Sequence, residues 1–427
     1  MKYIYFKFLT FYNLIKSNII FFPALFAIGG FNFAFLMIYL ESKGLSNELL
    51  NRVPQLLVEN GDTALTIISA CLGGLISLMV FSFSMVMLLL SQASSNFSPR
   101  LLPGLISDKR HQVILGIYLG TIIYNIFTLF SIEPGGEKYS LPGTSVLLAI
   151  IFTIICLIAF IYFIHNMSQS IQINTILDRI YEESVDRLQH IIEIEKECDI
   201  KDDFPDTSNW NTYFSKNNGY FQNISLSAIA EICEKNSTKI YITKPRGSYL
   251  LKNVSLIKSE KELDEEILSE IHSSISFSRG ELISDNYILA FKQMTEIILK
   301  AMSPGVNDPG TAINAIDYLT EIFALRMKKR DDEYYMQNET VYVKIATIKF
   351  SELLYNVMAS IRTYCKHDPI IVQKLIWMLK HLYIQPALND QYKVAVKEEV
   401  EILVKEALNT YTTEKDKTIL KNLVGEF

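Results

Sequence analysis

A chain of 427 residues, 49% of them hydrophobic and 20% charged, has room for roughly two to four folding units and is too apolar for disorder. With 18 Gly and 12 Pro it is neither collagen-like nor a linker. Its charge is uneven. Residues 1–164 carry +2 and residues 165–427 carry −8, for a net −6, which argues against a nucleic-acid-binding protein. The five cysteines (Cys71, Cys156, Cys198, Cys233 and Cys365) include no C-x-x-C pair. An odd, scattered set suits a reduced compartment for the soluble half rather than a disulfide framework.

From the N-terminus, Lys2, Lys7 and Lys16 precede an apolar run, Ile19–Leu40. It is too long for a signal peptide and long enough to cross a ~30 Å hydrocarbon core. Three more runs follow: Ala64–Leu90, Val113–Ile132 and Thr144–Ile164. None of the four contains Asp, Glu, Lys, Arg or His, which disfavours proton-coupled carriers, because these keep an ionisable group in the membrane. Basic residues cluster at the N-terminus and in the second loop (Arg100, Lys109, Arg110). By the positive-inside rule both are expected in the cytoplasm, as are both termini of a multi-pass membrane protein.

The second run carries small residues at heptad spacing: Ala70, Ser77, Ser84 and Ser91, with Gly73 and Gly74 near the same face. It then emerges through a polar, uncharged stretch containing Ser94, Ser95, Asn96 and Ser98, and is expected to stop near Pro99. Two readings stay open for this stripe. It is a packing seam between helices, or it lines a narrow polar path in an oligomer. Arg100, the first charge beyond it, either anchors to lipid phosphates or forms a positive ring at a pore mouth. In the third run Gly116 and Gly120 form a G-x-x-x-G, read as close helix packing.

After His165 the pattern turns amphipathic. Ile173, Leu177, Ile180, Leu188 and Ile191 predict a helix continuing from the fourth span, and Asp199–Asn218 reads as a linker. Gly219–Ser259 predicts a small β unit, with strands at Gly219–Ile224, Lys239–Thr243, Tyr249–Leu251 and Val254–Ile257 and a short helix at Leu226–Lys235. It looks like half of a lipoyl- or biotinyl-type sandwich, but no lysine stands where such a cofactor attaches. Beyond it the periodicity predicts helices at Glu260–Ser274, Asp285–Met302, Pro309–Lys328, Glu339–Tyr364, Pro369–Leu382 and Tyr392–Tyr411. The mixed-charge run Lys328–Glu333 is read as a solvated loop between two of them.

Between two of these helices lies Ser303-Pro-Gly-Val-Asn307-Asp308-Pro-Gly-Thr311. Asp308 is placed to cap a helix whose first residue is Pro309. Asn307, Asp308, Thr311 and Ser303 could also converge on a ligand. The six histidines show no metal-ligand spacing, and neither a P-loop, a G-x-S-x-G nor a G-x-G-x-x-G occurs. No enzymatic activity, cofactor or metal is therefore expected.

Four stretches carry a family resemblance: FSFSMVMLLLSQASSNFSPRLLPGLISDKR (Phe81–Arg110), GYFQNIS (Gly219–Ser225), RGSYLLKNVSL (Arg246–Leu256) and SPGVNDPGTA (Ser303–Ala312). Through them, over roughly residues 15–380, the chain resembles an uncharacterised bacterial family of predicted membrane proteins that carries a domain of unknown function. The resemblance implies an integral inner-membrane protein and no particular activity. At the third stretch Ser248, Asn253 and Ser255 depart from the family's G-D-F-V-x-x-G-x-P-L pattern, which weakens a ligand role for that turn.

The expected architecture is an α-helical integral membrane domain of four transmembrane helices (1–164), then a helix-rich α+β cytoplasmic domain. The latter comprises an amphipathic helix and linker (165–218), the β unit (219–259) and a helical part (260–427). The expected function is a homo-oligomeric channel or pore with a cytoplasmic assembly domain. The alternative is a membrane-anchored sensor or scaffold whose cytoplasmic domain binds a ligand or partner.

Overall fold

A computed structural model describes residues 20–46, 58, 60–96, 109–132, 141–170, 172–197, 204–278, 283, 286–338 and 340–425. The chain divides into two compact units, Met1–Gln172 and Ile173–Phe427.

The first unit holds four helices long and apolar enough to cross a membrane: α1 (Phe21–Ser42), α2 (Gly61–Asn96), α3 (Lys109–Phe130) and α4 (Gly143–Ser170). Each of the four charge-free runs forms one helix, as contiguous apolarity demands where backbone polar groups must be satisfied internally. At about 1.5 Å per residue α2 outreaches a ~30 Å core. Its described helix ends at Asn96, so the predicted stop near Pro99, like Ser98 and Arg100, lies outside the described residues. α3 begins earlier than the predicted span and takes in His111 and Gln112. Two clusters form the bundle core. Ala34, Met37, Ala64, Ile68, Tyr124, Val146 and Ala149 make one; Leu75, Ile114, Tyr118, Ile122, Cys156, Phe163 and Met167 make the other.

The second unit opens with α5 (Ile173–Glu197), whose face of Ile176, Leu177, Ile180, Leu188, Ile191 and Ile192 is buried. The sequence predicts one continuous helix through the fourth span; the described residues form two helices, α4 and α5, and residue 171 between them lies outside the described residues. Strands β1 (Asn211–Phe214), β2 (Gly219–Ile224), β3 (Ile240–Ile242), β4 (Tyr249–Leu250) and β5 (Ser255–Ser259) follow, with α6 (Leu226–Lys235) among them. Next come α7 (Glu265–Ser273), β6 (Ile275–Ser278), α8 (Ile288–Ala301), α9 (Pro309–Arg326), β7 (Glu333–Gln337) and β8 (Thr340–Ile345). The fold closes with α10 (Phe350–Cys365), α11 (Pro369–Ile384), α12 (Asp390–Thr410) and α13 (Glu414–Val424).

Three corrections follow. Strand β1 lies in the segment read as linker. The strands of 219–259 divide between two sheets instead of forming half a sandwich: a five-stranded sheet in the order β1-β5-β3-β8-β7 and a three-stranded sheet β4-β2-β6. The segment from 339 onward is not one helix. Val343 and Ile345 alternate inward along β8, which pairs parallel to β3 (Ile240 opposite Val343) and antiparallel to β7. Asn338, at φ 47°, supplies the left-handed residue the connection between β7 and β8 needs. Period-two burial and a ready sheet edge outweigh the helical propensity of the residues after it. Phe291, Phe323, Phe350 and Tyr392 stack through the helical core at centroid distances of 4.6–6.0 Å.

Candidate functional site

The small-residue stripe of α2 does not pack inside its own bundle. Ala70, Gly73, Gly74, Ser77, Ser84 and Ser91 are all exposed, while Ala64, Ile68, Leu75 and Ser82 form the buried face. Ser77 and Ser84 donate to the carbonyls of Gly73 and Val80, both at 2.9 Å, so their hydroxyls are satisfied without water. Around Ser84 the outer face is bulky, with Val80, Phe81, Met87 and Leu88 more than half exposed. The stripe is thus a small, closely approachable surface near Ala70–Ser77 and an apolar one further on. The side chains of Ser94, Ser95 and Asn96, like Ser98 and Arg100, lie outside the described residues.

Gly116 and Gly120 sit where α3 crosses α1. A Cβ at Gly120 would stand 2.7 Å from the carbonyl oxygen of Phe26, and one at Gly116 2.8 Å from the Phe26 ring. Gly30 of α1 meets Gly120 more tightly still, backbone to backbone.

A different face of α3 carries what the sequence reading passed over. His111, Tyr118, Thr121, Asn125 and Thr128 recur at steps of seven, three, four and three, which is one helix face, and all are buried. At one end Asn166 Nδ2 donates to His111 Nε2 (3.1 Å), while Arg110 donates to Asn166 Oδ1 (3.3 Å). At the other end Tyr124 donates to the Ser145 carbonyl (3.1 Å), and the N–H and hydroxyl of Ser145 both donate to Glu41 Oε1 (2.9 and 3.1 Å). Between them Cys156 Sγ contacts Thr121 Oγ1 at 3.4 Å. Ser82 and Tyr118 face each other, hydroxyl to hydroxyl, whereas Gln112 Oε1 and both amide atoms of Asn125 have no hydrogen-bond partner among the described residues. Ser82, Tyr118 and Asn125 are 0% exposed. A polar group costs about 1–3 kcal/mol when buried unpaired. The signal was present in the sequence: Tyr118, Thr121, Asn125 and Thr128 share one face of a helix that is mostly apolar from Val113 onward.

In the second unit, the loop Ser303–Thr311 is engaged in its own turn. Asp308 caps α9: its Oδ1 accepts from Thr311 N (3.1 Å) and its Oδ2 from Thr311 Oγ1 (2.6 Å). These hydrogen bonds, the side-chain one foremost, hold the Asp308 carboxyl below the usual carboxylate range. Ser303 donates to the Lys300 carbonyl (2.7 Å), and Asn307 takes a positive φ of 48°. The structure brings Asp308 and Thr311 together and leaves Asn307 turned into the backbone bend.

The mixed-charge run is solvated only in part: Lys328 and Asp332 are exposed, while Lys329 is buried and Glu333 opens β7. Arg326 and Lys329 are 0% exposed. Arg326 donates to Asp331 Oδ1 (2.6 Å) and to the carbonyls of Lys329 and Ile348 (3.1 Å each). Lys329 pairs with Glu195 of α5 (3.1 Å), and Tyr392 donates to the Lys329 carbonyl (3.1 Å). Arg246 pairs with Glu333 at 3.0 Å. Arg326 follows Leu319 and Phe323 at core spacing, which was the readable signal for its burial.

Among the described residues no group of three or more His, Cys, Asp or Glu side chains is placed to hold a metal ion. The profile of a family described as "Predicted membrane protein (DUF2254)" matches residues 16–381. An uncharacterized protein of Mycobacterium bovis and one of Mycobacterium tuberculosis are each 24% identical to the chain over 355 residues, covering 79% of it and 67% of the relative. No solved structure matches.

Proposed function

The chain belongs to the DUF2254 family of predicted membrane proteins, and we propose that it is a membrane channel whose polar route runs inside the four-helix bundle along α3. The observation that carries the reading is Asn125: a fully buried amide with neither atom partnered, midway along a file of polar groups. A purely structural bundle would place an aliphatic residue there at lower free energy. The charge-free spans suit passive conduction. The Lys and Arg bias of the N-terminus and second loop supports an inner-membrane orientation with both termini in the cytoplasm.

The outward face of α2 is better suited to contact between copies than to lining a pore. Ala70, Gly73, Gly74 and Ser77 permit close helix approach, while Phe81 and Leu88 would obstruct a water column beyond them. In the second unit, Ile370, Trp377 and Ile384 repeat every seven residues along the outer side of α11, at 58%, 46% and 70% exposure. Both faces support a homo-oligomer.

The sensor or scaffold reading has its own observation. A cleft of about 470 Å³ between α5 and α9 is lined by Asn174, Asp178, Asn314, Asp317, Tyr318 and Glu321. Its acids are already engaged, Asp178 by Tyr318, Asp317 by Lys374 (2.5 Å) and Glu321 by Tyr181, so the channel reading is preferred.

Silver ion, thiol-reactive and small, separates the routes. In a full-length background with the native cysteines replaced by serine, Thr121→Cys and Asn125→Cys are expected to react, while Ser77→Cys, Ser84→Cys and Ser91→Cys stay protected. Reaction only at 77, 84 and 91 would move the pore to an oligomer axis. Protection at all five positions would leave a membrane anchor.

A further inference from the structure

We propose that the α3 file is the closed state of a single-file water path that conducts protons between Glu41 and His111; this rests on the channel reading and names its cargo. From His111 to Thr128 the helix rises about 25 Å, close to the thickness of a hydrocarbon core. Along that length lie side chains that both donate and accept hydrogen bonds: the hydroxyls of Tyr118, Thr121 and Thr128, the Ser82 hydroxyl from α2, and the Asn125 amide. A proton passes along the hydroxyls and waters of such a chain because each of their oxygens accepts from one neighbour while donating to the next, and the Asn125 amide holds a water in place without itself relaying.

Zero exposure at Ser82, Tyr118 and Asn125 means that no water-sized void touches them, so the path is shut as it stands. The unpartnered amide of Asn125 is what water would satisfy if the helices separated by about one water diameter. A column that narrow cannot carry a hydrated metal cation, whereas a proton needs only the continuity of hydrogen bonds. No fixed charge stands between the two ends of the file, where one would be costly.

The ends are the titratable groups. Glu41 accepts from the Ser145 N–H and hydroxyl. His111 accepts from Asn166, lies edge-on to Phe163 and neighbours Arg110, which also binds Asn166. A proton entering the first water beside Glu41 displaces one proton at each step, and the last is taken by His111 Nε2 as the Asn166 N–H withdraws from it. No covalent bond other than O–H and N–H changes, and no co-reactant is needed.

The test uses the full-length chain in phosphatidylcholine vesicles that enclose a pH-sensitive dye, with a potassium gradient and valinomycin setting the potential. Internal acidification is expected to run faster than in protein-free vesicles. Asn125→Leu is expected to cut that excess at least about ten-fold by inserting a dewetted constriction. The isosteric Tyr118→Phe should cut it in part. Asn125→Leu is expected to melt in detergent at or above the native temperature, because it removes an unpartnered buried amide; this separates lost conduction from misfolding. No excess flux, or an excess that survives in folded Asn125→Leu, overturns the proposal. If silver still reaches a cysteine at 125 in that event, the route stands and the cargo is not protons; if it does not, the route falls as well.

Discussion

Gly30→Ala is expected to cost the membrane unit more than any other single-methyl addition described above. A Cβ at Gly30 would stand 2.2 Å from the carbonyl oxygen of Gly120 and under 3 Å from its carbonyl carbon and Cα. These are backbone atoms of a helix, so no side chain can swing aside, and α1 and α3 must separate. Overpacking of a core costs about 1–3 kcal/mol where side chains can adjust. Here the whole crossing must open, exposing Phe31 and Phe35 on one helix to loss of contact with Phe127 on the other. The loss should therefore exceed about 3 kcal/mol. It would show as low yield and a sharply lowered melting temperature in detergent. Gly29→Ala, one residue away with nothing within 4 Å of its Cβ, is the control and should melt at or slightly above the native temperature. Equal melting of the two variants would refute the close crossing.

The second large effect lies in the second unit. Arg326→Met keeps the volume and removes the guanidinium that holds Asp331, the Lys329 carbonyl and the Ile348 carbonyl. Asp331 retains the Phe350 N–H (2.9 Å) but loses its buried cation. Breaking one side of a buried pair costs about 3–5 kcal/mol, because the other charge is left uncompensated. Denaturant unfolding should show that loss. Adding Asp331→Leu should return part of it, since an apolar replacement of the whole pair removes the stranded charge. A single-variant loss under about 1 kcal/mol would mean the pair behaves as a surface one.

What was legible in the sequence follows from which signals are local. The four spans are contiguous apolar runs, and such runs need no partner to be recognised. Strand β3 and helices α8, α9, α11 and α12 were readable from period alone. Strand β8 was not, because Thr340–Ile345 is short, adjoins a strongly helical segment, and is a strand only by virtue of the edges that β3 and β7 offer. The run Lys328–Glu333 misled for a similar reason: mixed charge normally means solvent, and only the partners Glu195 and Tyr392, distant in sequence, reveal the burial of Lys329.

The second span shows the limit most plainly. Small or aliphatic residues repeat every seven positions on two of its faces, Ile68, Leu75 and Ser82 on one and Ala70, Ser77, Ser84 and Ser91 on the other. Spacing cannot say which turns inward. Tertiary packing puts Ser82 inside against Tyr118 and the longer serine row outside. That choice relocates the candidate path from α2 to α3.

The most direct measurement of that relocation is osmotic water permeability, read by stopped-flow light scattering from vesicles bearing the full-length chain. The α3 route predicts faster shrinkage than protein-free vesicles at low activation energy, lost on Asn125→Leu and retained on Ser84→Leu. Shrinkage that is lost with Ser84→Leu and retained with Asn125→Leu would contradict it.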